Sequence, residues 1–289
     1  MMVVAHNLWL AGWCVHVFGD HAHALAAWFP HLRIAPLPEQ TIASFALQSF
    51  EFVIQQHRDS PLKNFETWHK GFLDLHDVEY ADSGLCMAER FAKFTAARFG
   101  LKNAEVSTGI RPRPGLVFRK YATRVALHPA ASSGDKRWLP SRFVDVARRL
   151  RAVDLSVEFT MLASERTAWV RAVGNSFPTR HFESTAELAE WLYESGWFIG
   201  NDSGVGHLAS SLCIPTLTIF RRRRVSQRWR PGFAAAAVVV PPWWLPTAAL
   251  KERFWRESIS VRRVLKAFSR LRSKRFPSVD SNVCEIAKL

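Results

Sequence analysis

Short apolar runs alternate with amphipathic stretches along most of this chain. The apolar runs predict buried strands, whereas apolar positions spaced three and four residues apart predict helices. In the second half, strands are predicted at residues 125–128, 157–162, 197–200, 216–220 and 234–240, and helices at residues 142–153, 164–173, 185–194 and 207–212. Short loops between alternating strands and helices predict a parallel, doubly wound α/β sheet.

The first half shows the same rhythm but opens on a helix. Helices are predicted at residues 3–11, 21–28, 41–49 and 84–100, and strands at residues 14–18, 33–37 and 52–55. An alternating α/β domain usually opens on a strand. We therefore expect this domain to be incomplete, without its first strand and the loop that follows it.

Glycine and proline residues between positions 101 and 120 predict a linker between two domains. The predicted organisation is an N-terminal α/β domain at residues 1–110 and a C-terminal α/β domain at residues 111–260. Residues 261–289 are predicted to form an amphipathic helix and a basic, loosely ordered tail.

A polar, glycine-containing stretch follows the strand at residues 197–200. It contains Asn201, Asp202, Ser203, Gly204 and Gly206, and His207 begins the predicted helix. We expect the two glycines to be free to adopt positive φ. A helix that starts in this way presents free backbone N–H groups and the positive end of its dipole, which suits a phosphate. Asp202 could accept sugar hydroxyls and His207 could donate to a phosphate oxygen; ordinary helix capping and a packed histidine are the alternatives.

A second polar loop follows the strand at residues 125–128. Ser132 and Ser133 offer hydroxyl and N–H groups and Lys136 offers a positive charge, a combination that suits a diphosphate. Ligands of doubly wound sheets bind beyond the carboxyl ends of the strands, so we expect both loops to converge on one ligand. Glu165, after the next strand, could accept ribose hydroxyls. The alternatives are a solvated loop around Lys136 and an acidic first helical turn at Glu165.

Composition adds a strong positive charge, with 39 Lys and Arg against 25 Asp and Glu and a net charge of +14. This charge predicts affinity for polyanions, namely nucleic acid, anionic lipid or phosphorylated substrates. Arg221 to Arg224 form a run that predicts a solvated loop, or a contact with phosphates or an anionic membrane surface. Four scattered cysteines without a Cys-x-x-Cys pair favour a cytoplasmic protein without a structural zinc.

Two of these segments together carry a family resemblance. One is His-Pro-Ala-Ala-Ser-Ser at residues 128–133 with Lys-Arg-Trp at residues 136–138, and the other is Asp-Ser-Gly-Val-Gly-His-Leu-Ala at residues 202–209, followed by Pro215. In this order and spacing they resemble the C-terminal half of glycosyltransferase family 9, which includes the ADP-heptose:lipopolysaccharide heptosyltransferases. The resemblance covers about half of the chain.

The resemblance implies a GT-B architecture, in which two Rossmann-like domains face each other across a cleft. The C-terminal domain would bind a nucleotide-sugar donor, with Asp202 at the donor sugar and Glu165 near the ribose. No cofactor and no metal is implied, because Lys136 and a helix N-terminus would stabilise the leaving group. The donor-binding residues expected by similarity are Ser132, Ser133, Lys136, Glu165, Asp202, Ser203, Gly204, Gly206 and His207.

The implied reaction is an inverting, metal-independent transfer of a heptose-like sugar, from an ADP-linked donor to lipopolysaccharide or another saccharide or lipid-linked acceptor. The enzyme would be cytoplasmic, with peripheral contact to the inner face of the membrane. No specific nucleic acid is expected as a partner.

The N-terminus departs from the family pattern. There, a Gly-Asp loop after the first strand supplies the general base, whereas this chain begins at the helix after that loop. Gly19 and Asp20 follow the strand at residues 14–18, which corresponds to the second strand of the family, so no catalytic residue is assigned. Arg221 also departs from the pattern, because the family often has glycine there. Three alternatives remain open: a start codon placed too far downstream, a donor-binding protein that has lost turnover, and a basic nucleic-acid-binding protein.

Overall fold

The chain folds into two units in the computed structural model, Met1–Gly109 and Ile110–Leu289. The structure describes residues 1–81, 84–173, 177–243 and 248–274. The predicted basic tail beyond Lys274 lies outside the described residues. The division between the units falls within residues 101–120, the stretch rich in glycine and proline.

The described residues of the N-terminal unit form four short strands in two parallel pairs. Strand β1 (His16–Phe18) pairs with β2 (Arg33–Ala35), and β3 (Val53–Gln55) pairs with β4 (Phe72–Asp74). Its helices are α1 (Met2–Leu10), α2 (Asp20–His23), α3 (Gln40–Ala46), α4 (His76–Tyr80) and α5 (Met87–Phe99). The single helix predicted at residues 21–28 is instead α2 followed by a 3₁₀ turn, Ala26–Trp28. Asp20 starts α2, and its carboxylate accepts a hydrogen bond of 3.2 Å from the backbone N–H of Leu37.

Helix α1 is buried over most of its length and packs against α5. Its one amide side chain, Asn7, donates to the carbonyl oxygen of Glu105 at 2.9 Å and accepts from the N–H of Glu105 at 2.7 Å. These bonds compensate for burying the polar amide among apolar side chains. Helix α5 ends at Gly100, whose φ of 65° is the left-handed conformation that glycine adopts without a steric penalty.

A six-stranded parallel sheet forms the centre of the C-terminal unit. Its strands are β5 (Tyr121–His128), β6 (Ser156–Leu162), β7 (Thr179–Phe182), β8 (Ser195–Asn201), β9 (Thr216–Ile219) and β10 (Ala236–Val239), in the spatial order β10-β9-β8-β5-β6-β7. The helices are α6 (Pro140–Arg151), α7 (Arg166–Val173), α8 (Thr185–Tyr193), α9 (Gly204–Ser211), α10 (Arg223–Trp229), α11 (Ala248–Ser258) and α12 (Val261–Arg272). The predicted doubly wound parallel sheet is confirmed for this unit.

Side chains alternate between the two faces of this sheet, and helices cover both faces. Val125 and Leu127 of β5 join the main core cluster, to which α6 contributes Phe143 and α12 contributes Val264 and Phe268. Helices α8 and α9 pack against each other and against β8. Among the described residues, no helix is both long enough and apolar enough to cross a membrane.

Three elements of the C-terminal unit were not predicted from the sequence, namely β7, α10 and α11. Strand β7 lies at the edge of the sheet and alternates between buried and exposed positions, so it has no apolar run to reveal it. Helix α10 begins inside the arginine run, where a solvated loop was predicted. Arginine is a good helix former, and the helix runs from Arg223 to Trp229 with Arg222 at its N-cap position.

Candidate functional site

The loops that follow β5 and β8 meet where the strand order of the C-terminal sheet reverses. From β5 the chain runs to β6 and β7 on one side, and β8 then returns to the other side of β5. Ligands of doubly wound sheets bind at such a switch point, beyond the carboxyl ends of the strands. The predicted convergence of the two polar loops therefore has its structural basis in this topology.

The side chain of Asn201 fastens the two loops together. It is fully buried at the end of β8, donates to the carbonyl oxygen of Pro129 at 2.6 Å and accepts from the backbone N–H of Trp138 at 3.1 Å. Pro129 and Trp138 flank the segment that carries the predicted serines and lysine. From the sequence, Asn201 was expected only as part of the polar turn, because an asparagine after an apolar run is an ordinary turn residue.

Lys136 and Asp202 form the central ion pair of the site. Lys136 ends a 3₁₀ turn, Gly134–Lys136, and its Nζ lies 3.5 Å from Oδ2 of Asp202. The lysine side chain is 42% exposed and the aspartate side chain is 13% exposed. The pair therefore brings the β5 loop to the β8 loop while keeping the ammonium group accessible to a ligand.

Helix α9 begins beside this pair. Ser203 caps it by accepting a hydrogen bond of 3.4 Å from the N–H of Gly206. The N–H groups at the first two positions, Gly204 and Val205, precede the first intrahelical bond and point out of the helix end. Together with the helix dipole, they create a positive environment suited to a phosphate.

The expectation that Gly204 and Gly206 adopt positive φ is wrong. Both lie in the first turn of α9, and neither is among the glycines with positive φ. A Cβ built at Gly204 would meet no atom within 4 Å. Neither backbone conformation nor internal packing therefore requires glycine at position 204. The absence of a side chain leaves the N-terminal end of α9 accessible to a ligand.

His207 lies one turn into α9 and is half-buried, with its ring in an edge-on contact 6.1 Å from that of Trp229. Burial lowers the pKa of His207; the Asp202 carboxylate opposes this effect and Lys136 adds to it. The imidazole is therefore neutral at pH 7. In this form it can donate one N–H to an anionic ligand without carrying a charge.

Glu165 lies at the end of the neighbouring strand β6, in a 3₁₀ turn that leads into α7. One of its oxygens accepts a hydrogen bond of 3.0 Å from the N–H of Leu162, and the other lies 3.7 Å from Nε2 of His128. The Nδ1 of His128 donates to the carbonyl oxygen of Thr160 at 2.9 Å, and burial lowers the pKa of this histidine. Glu165 thus has a capping role, while its carboxylate remains partly exposed at the sheet edge.

Ser132 is exposed and Ser133 is half-buried, directly before the turn that carries Lys136. A hydrogen bond from the Ser133 side chain holds the pKa of Asp135 below its ordinary value, and the nearby Arg221 guanidinium adds to this effect. Arg221 forms an ion pair with Asp135 and lies 3.6 Å from the carboxylate of Glu252. It therefore braces the lysine turn from the end of β9.

Arg256 contacts the loop directly, whereas Arg222 and Arg142 contact the neighbouring helix α11. Arg222 forms an ion pair with Glu252. Arg256 of α11 donates to the carbonyl oxygens of Arg137 at 2.8 Å and Gly134 at 2.7 Å, and Arg142 donates to the carbonyl oxygen of Glu257 at 2.8 Å. The first half of the arginine run is therefore engaged with carboxylates, which the sequence pattern did not indicate.

The structure thus brings Lys136, Asp202 and His207 together beside the end of α9, where Ser203, Gly204 and Gly206 lie. Ser132 and Ser133 belong to the loop that Asn201 fastens to this point, and Glu165 lies at the end of the next strand. Among the described residues, no group of three or more His, Cys, Asp or Glu side chains is arranged to hold a metal ion.

Comparison with known proteins gives a consistent result. The profile of glycosyltransferase family 9 (heptosyltransferase) matches residues 69–241. The E. coli heptosyltransferase WaaC with ADP shares 12% identity with a TM-score of 0.70, over 93% of this chain and 94% of that chain. E. coli ADP-heptose lipopolysaccharide heptosyltransferase II shares 14% identity with a TM-score of 0.66, over 93% of each chain.

A family 9 glycosyl transferase from Veillonella parvula shares 14% identity with a TM-score of 0.68, over 93% of this chain and 92% of that chain. No curated protein sequence matches the chain significantly. At these identities the similar structures establish the fold, which is α/β of the GT-B type, while the profile covers more than half of the chain. The chain therefore belongs to glycosyltransferase family 9 and is a glycosyltransferase.

Proposed function

We propose that this glycosyltransferase moves a heptose-like sugar from an ADP-linked donor to a hydroxyl of lipopolysaccharide or of another lipid-linked saccharide. The observation that carries the proposal is the Lys136–Asp202 pair beside the open end of α9, at the switch point of the sheet. Two similar structures support the choice of donor, since WaaC was solved with ADP and with ADP-2-deoxy-2-fluoro heptose.

In this proposal the donor diphosphate lies between Lys136 and the first turn of α9. Its oxygens accept from the N–H groups of Gly204 and Val205, from the hydroxyls of Ser132 and Ser133 and from the imidazole of His207. The Asp202 carboxylate accepts from donor sugar hydroxyls, and Glu165 accepts from ribose hydroxyls. This assignment gives seven of the nine predicted donor-binding residues a contact that matches their hydrogen-bonding capacity. The other two, Ser203 and Gly206, bond to each other and cap the helix that faces the diphosphate.

The transfer proceeds with inversion and without a metal. The oxygen of an acceptor hydroxyl forms a bond to the anomeric carbon of the donor as the bond from that carbon to the phosphate oxygen breaks. The bonding electron pair leaves with ADP, and the hydroxyl proton passes to a base, a role that we assign to no residue of this chain. Lys136 and the dipole of α9 stabilise the charge that develops on the leaving diphosphate.

Calorimetric titration of the full chain with ADP, GDP and UDP tests the donor class. We expect ADP to bind and the other two to bind more weakly; equal binding of all three would contradict an ADP-linked donor.

Incubation with ADP-heptose and lipopolysaccharide lacking terminal heptose tests transfer, with ADP release as the measured quantity. ADP binding without release would identify a donor-binding protein that has lost turnover. Polynucleotide binding without ADP binding would identify a nucleic-acid-binding protein instead.

The pH dependence of ADP binding tests the role of His207. Because burial lowers the pKa of this imidazole in the free protein, it is neutral above pH 6.5. A diphosphate beside it would favour the charged form and raise the pKa, so binding takes up a proton and tightens as the pH falls from 8 towards 6. Titrations in buffers of different ionisation enthalpy measure this proton uptake.

The terminal phosphate of ADP also takes up a proton near pH 6, at about the ordinary value for a phosphate monoester. A His207→Gln variant separates the two contributions, since glutamine keeps a donor and does not titrate. We expect the variant to lose the histidine part of the proton uptake. Identical proton uptake by wild type and variant would show that His207 does not face the diphosphate.

A further inference from the structure

A basic groove lies between helix α12 and the edge strand β10 in the C-terminal unit. It encloses a cavity of about 530 Å³, floored by Val238 and Val239 and walled by cations of α12. The cations that line it are Arg262, Arg263, Lys266 and Arg270. Since β10 is three strands away from β5, the groove lies about 14 Å from the switch point along the sheet.

The cations of the groove follow from the sequence period of α12. Arg262, Lys266 and Arg270 are spaced four residues apart, so they form one stripe about 12 Å long on the exposed side of the helix. On the opposite side Val264 and Phe268 are buried in the main core cluster. Helix α12 contains no aspartate or glutamate to neutralise this stripe.

The cations of this groove are also without acidic partners elsewhere in the described part of the chain. No ion pair joins Arg262, Lys266 or Arg270 to a carboxylate there. The arginine run at the end of β9 differs, because Arg221 and Arg222 pair with Asp135 and Glu252. Helix α12 therefore carries a stripe of exposed cations without ion pairs to described carboxylates, whereas half of the arginine run is paired.

We propose that the α12 groove docks the protein on an anionic phospholipid surface, with headgroup phosphates seated between the cations of the stripe. Proteins that hold single-stranded nucleic acid combine a basic groove with aromatic side chains for base stacking. None of the described residues that line this groove is aromatic. Because the apolar side of α12 faces the core, the contact is electrostatic, without insertion, and is screened by salt.

Flotation of the full chain with lipid vesicles tests this proposal. We expect binding to vesicles that contain phosphatidylglycerol, none to pure phosphatidylcholine vesicles, and release at high salt. Each basic side chain near an anionic surface strengthens binding about five-fold, so the triple variant Arg262→Gln/Lys266→Gln/Arg270→Gln should bind on the order of 100-fold more weakly. The three side chains are exposed, and a thermal unfolding curve verifies that the variant folds.

A matched control is Lys93→Gln/Lys102→Gln/Arg149→Gln, which removes three exposed cations outside the groove. It should retain most of the vesicle binding. Equal losses of vesicle binding in the two triple variants would show that only net charge matters and would overturn the proposal. Wild-type protein that does not bind anionic vesicles would also overturn it. Polynucleotide binding that only the groove variant loses, without vesicle binding, would assign the groove to nucleic acid. ADP titration of each variant measures the proposed donor site independently, so a failure of the membrane proposal can be distinguished from a failure of the proposed function.

Discussion

Replacing Lys136 with alanine should weaken ADP binding on the order of 100-fold, because a charge-assisted contact to the diphosphate contributes roughly 2–3 kcal/mol. Two effects act in the same direction. The variant loses the ammonium group, and it leaves the Asp202 carboxylate, 13% exposed, without the cation that now lies 3.5 Å away. An unpaired carboxylate beside the end of α9 would repel the diphosphate.

A double-mutant cycle with Asp202→Asn separates these two effects, since asparagine removes the repulsion and keeps the shape. We expect Lys136→Ala/Asp202→Asn to bind ADP more tightly than Lys136→Ala alone. The matched control is Lys102→Ala, an exposed lysine in the N-terminal unit, which should leave the affinity unchanged. Calorimetric titration measures wild type, the two single variants, the double variant and the control. Undiminished ADP binding by Lys136→Ala would place the diphosphate away from the β5 loop.

The C-terminal sheet could be predicted because five of its strands contain apolar runs, and the central strands β8 and β9 are buried on both faces. Each of the five strands predicted in the second half is present, and the loops with Lys136 and Asp202 follow the strands from which they were expected to start. The exception is β7, an edge strand with a half-exposed pattern. Hydrophobic periodicity and apolar runs reflect burial, so a strand with few buried residues is difficult to recognise in the sequence.

The errors at the site have a different cause. Local patterns could not show that Gly204 and Gly206 form the first turn of α9, because glycine occurs both in turns and at helix ends. Nor could they show the partners of Arg221 and Arg222, since Asp135 and Glu252 are distant in sequence. The bracing of the lysine turn by α11 depends on contacts more than 100 residues apart, such as that between Arg256 and Gly134. Tertiary contacts of this kind are outside the reach of a local pattern.

Asn201 is the clearest case of a residue whose importance only the fold reveals, and replacing it with alanine should lower the free energy of unfolding by about 3 kcal/mol. The change leaves the carbonyl oxygen of Pro129 and the N–H of Trp138 without their present partner in a buried environment, and each lost partner costs roughly 1–3 kcal/mol. Urea unfolding measures the loss. Asn201→Asp should cost at least as much, because its carboxylate still accepts from Trp138 but buries a charge and sets an oxygen against the carbonyl oxygen of Pro129.

The same substitution should also weaken ADP binding, because Asn201 holds the β5 loop in place without touching the ligand in the proposed arrangement. Asn7 provides a matched control, since its buried amide likewise accepts one backbone N–H and donates to backbone carbonyls, but in the N-terminal unit. Asn7→Ala should cost comparable stability and leave ADP affinity unchanged. Equal effects of the two variants on ADP affinity would mean that general destabilisation, and not the fastening of the two loops, controls donor binding.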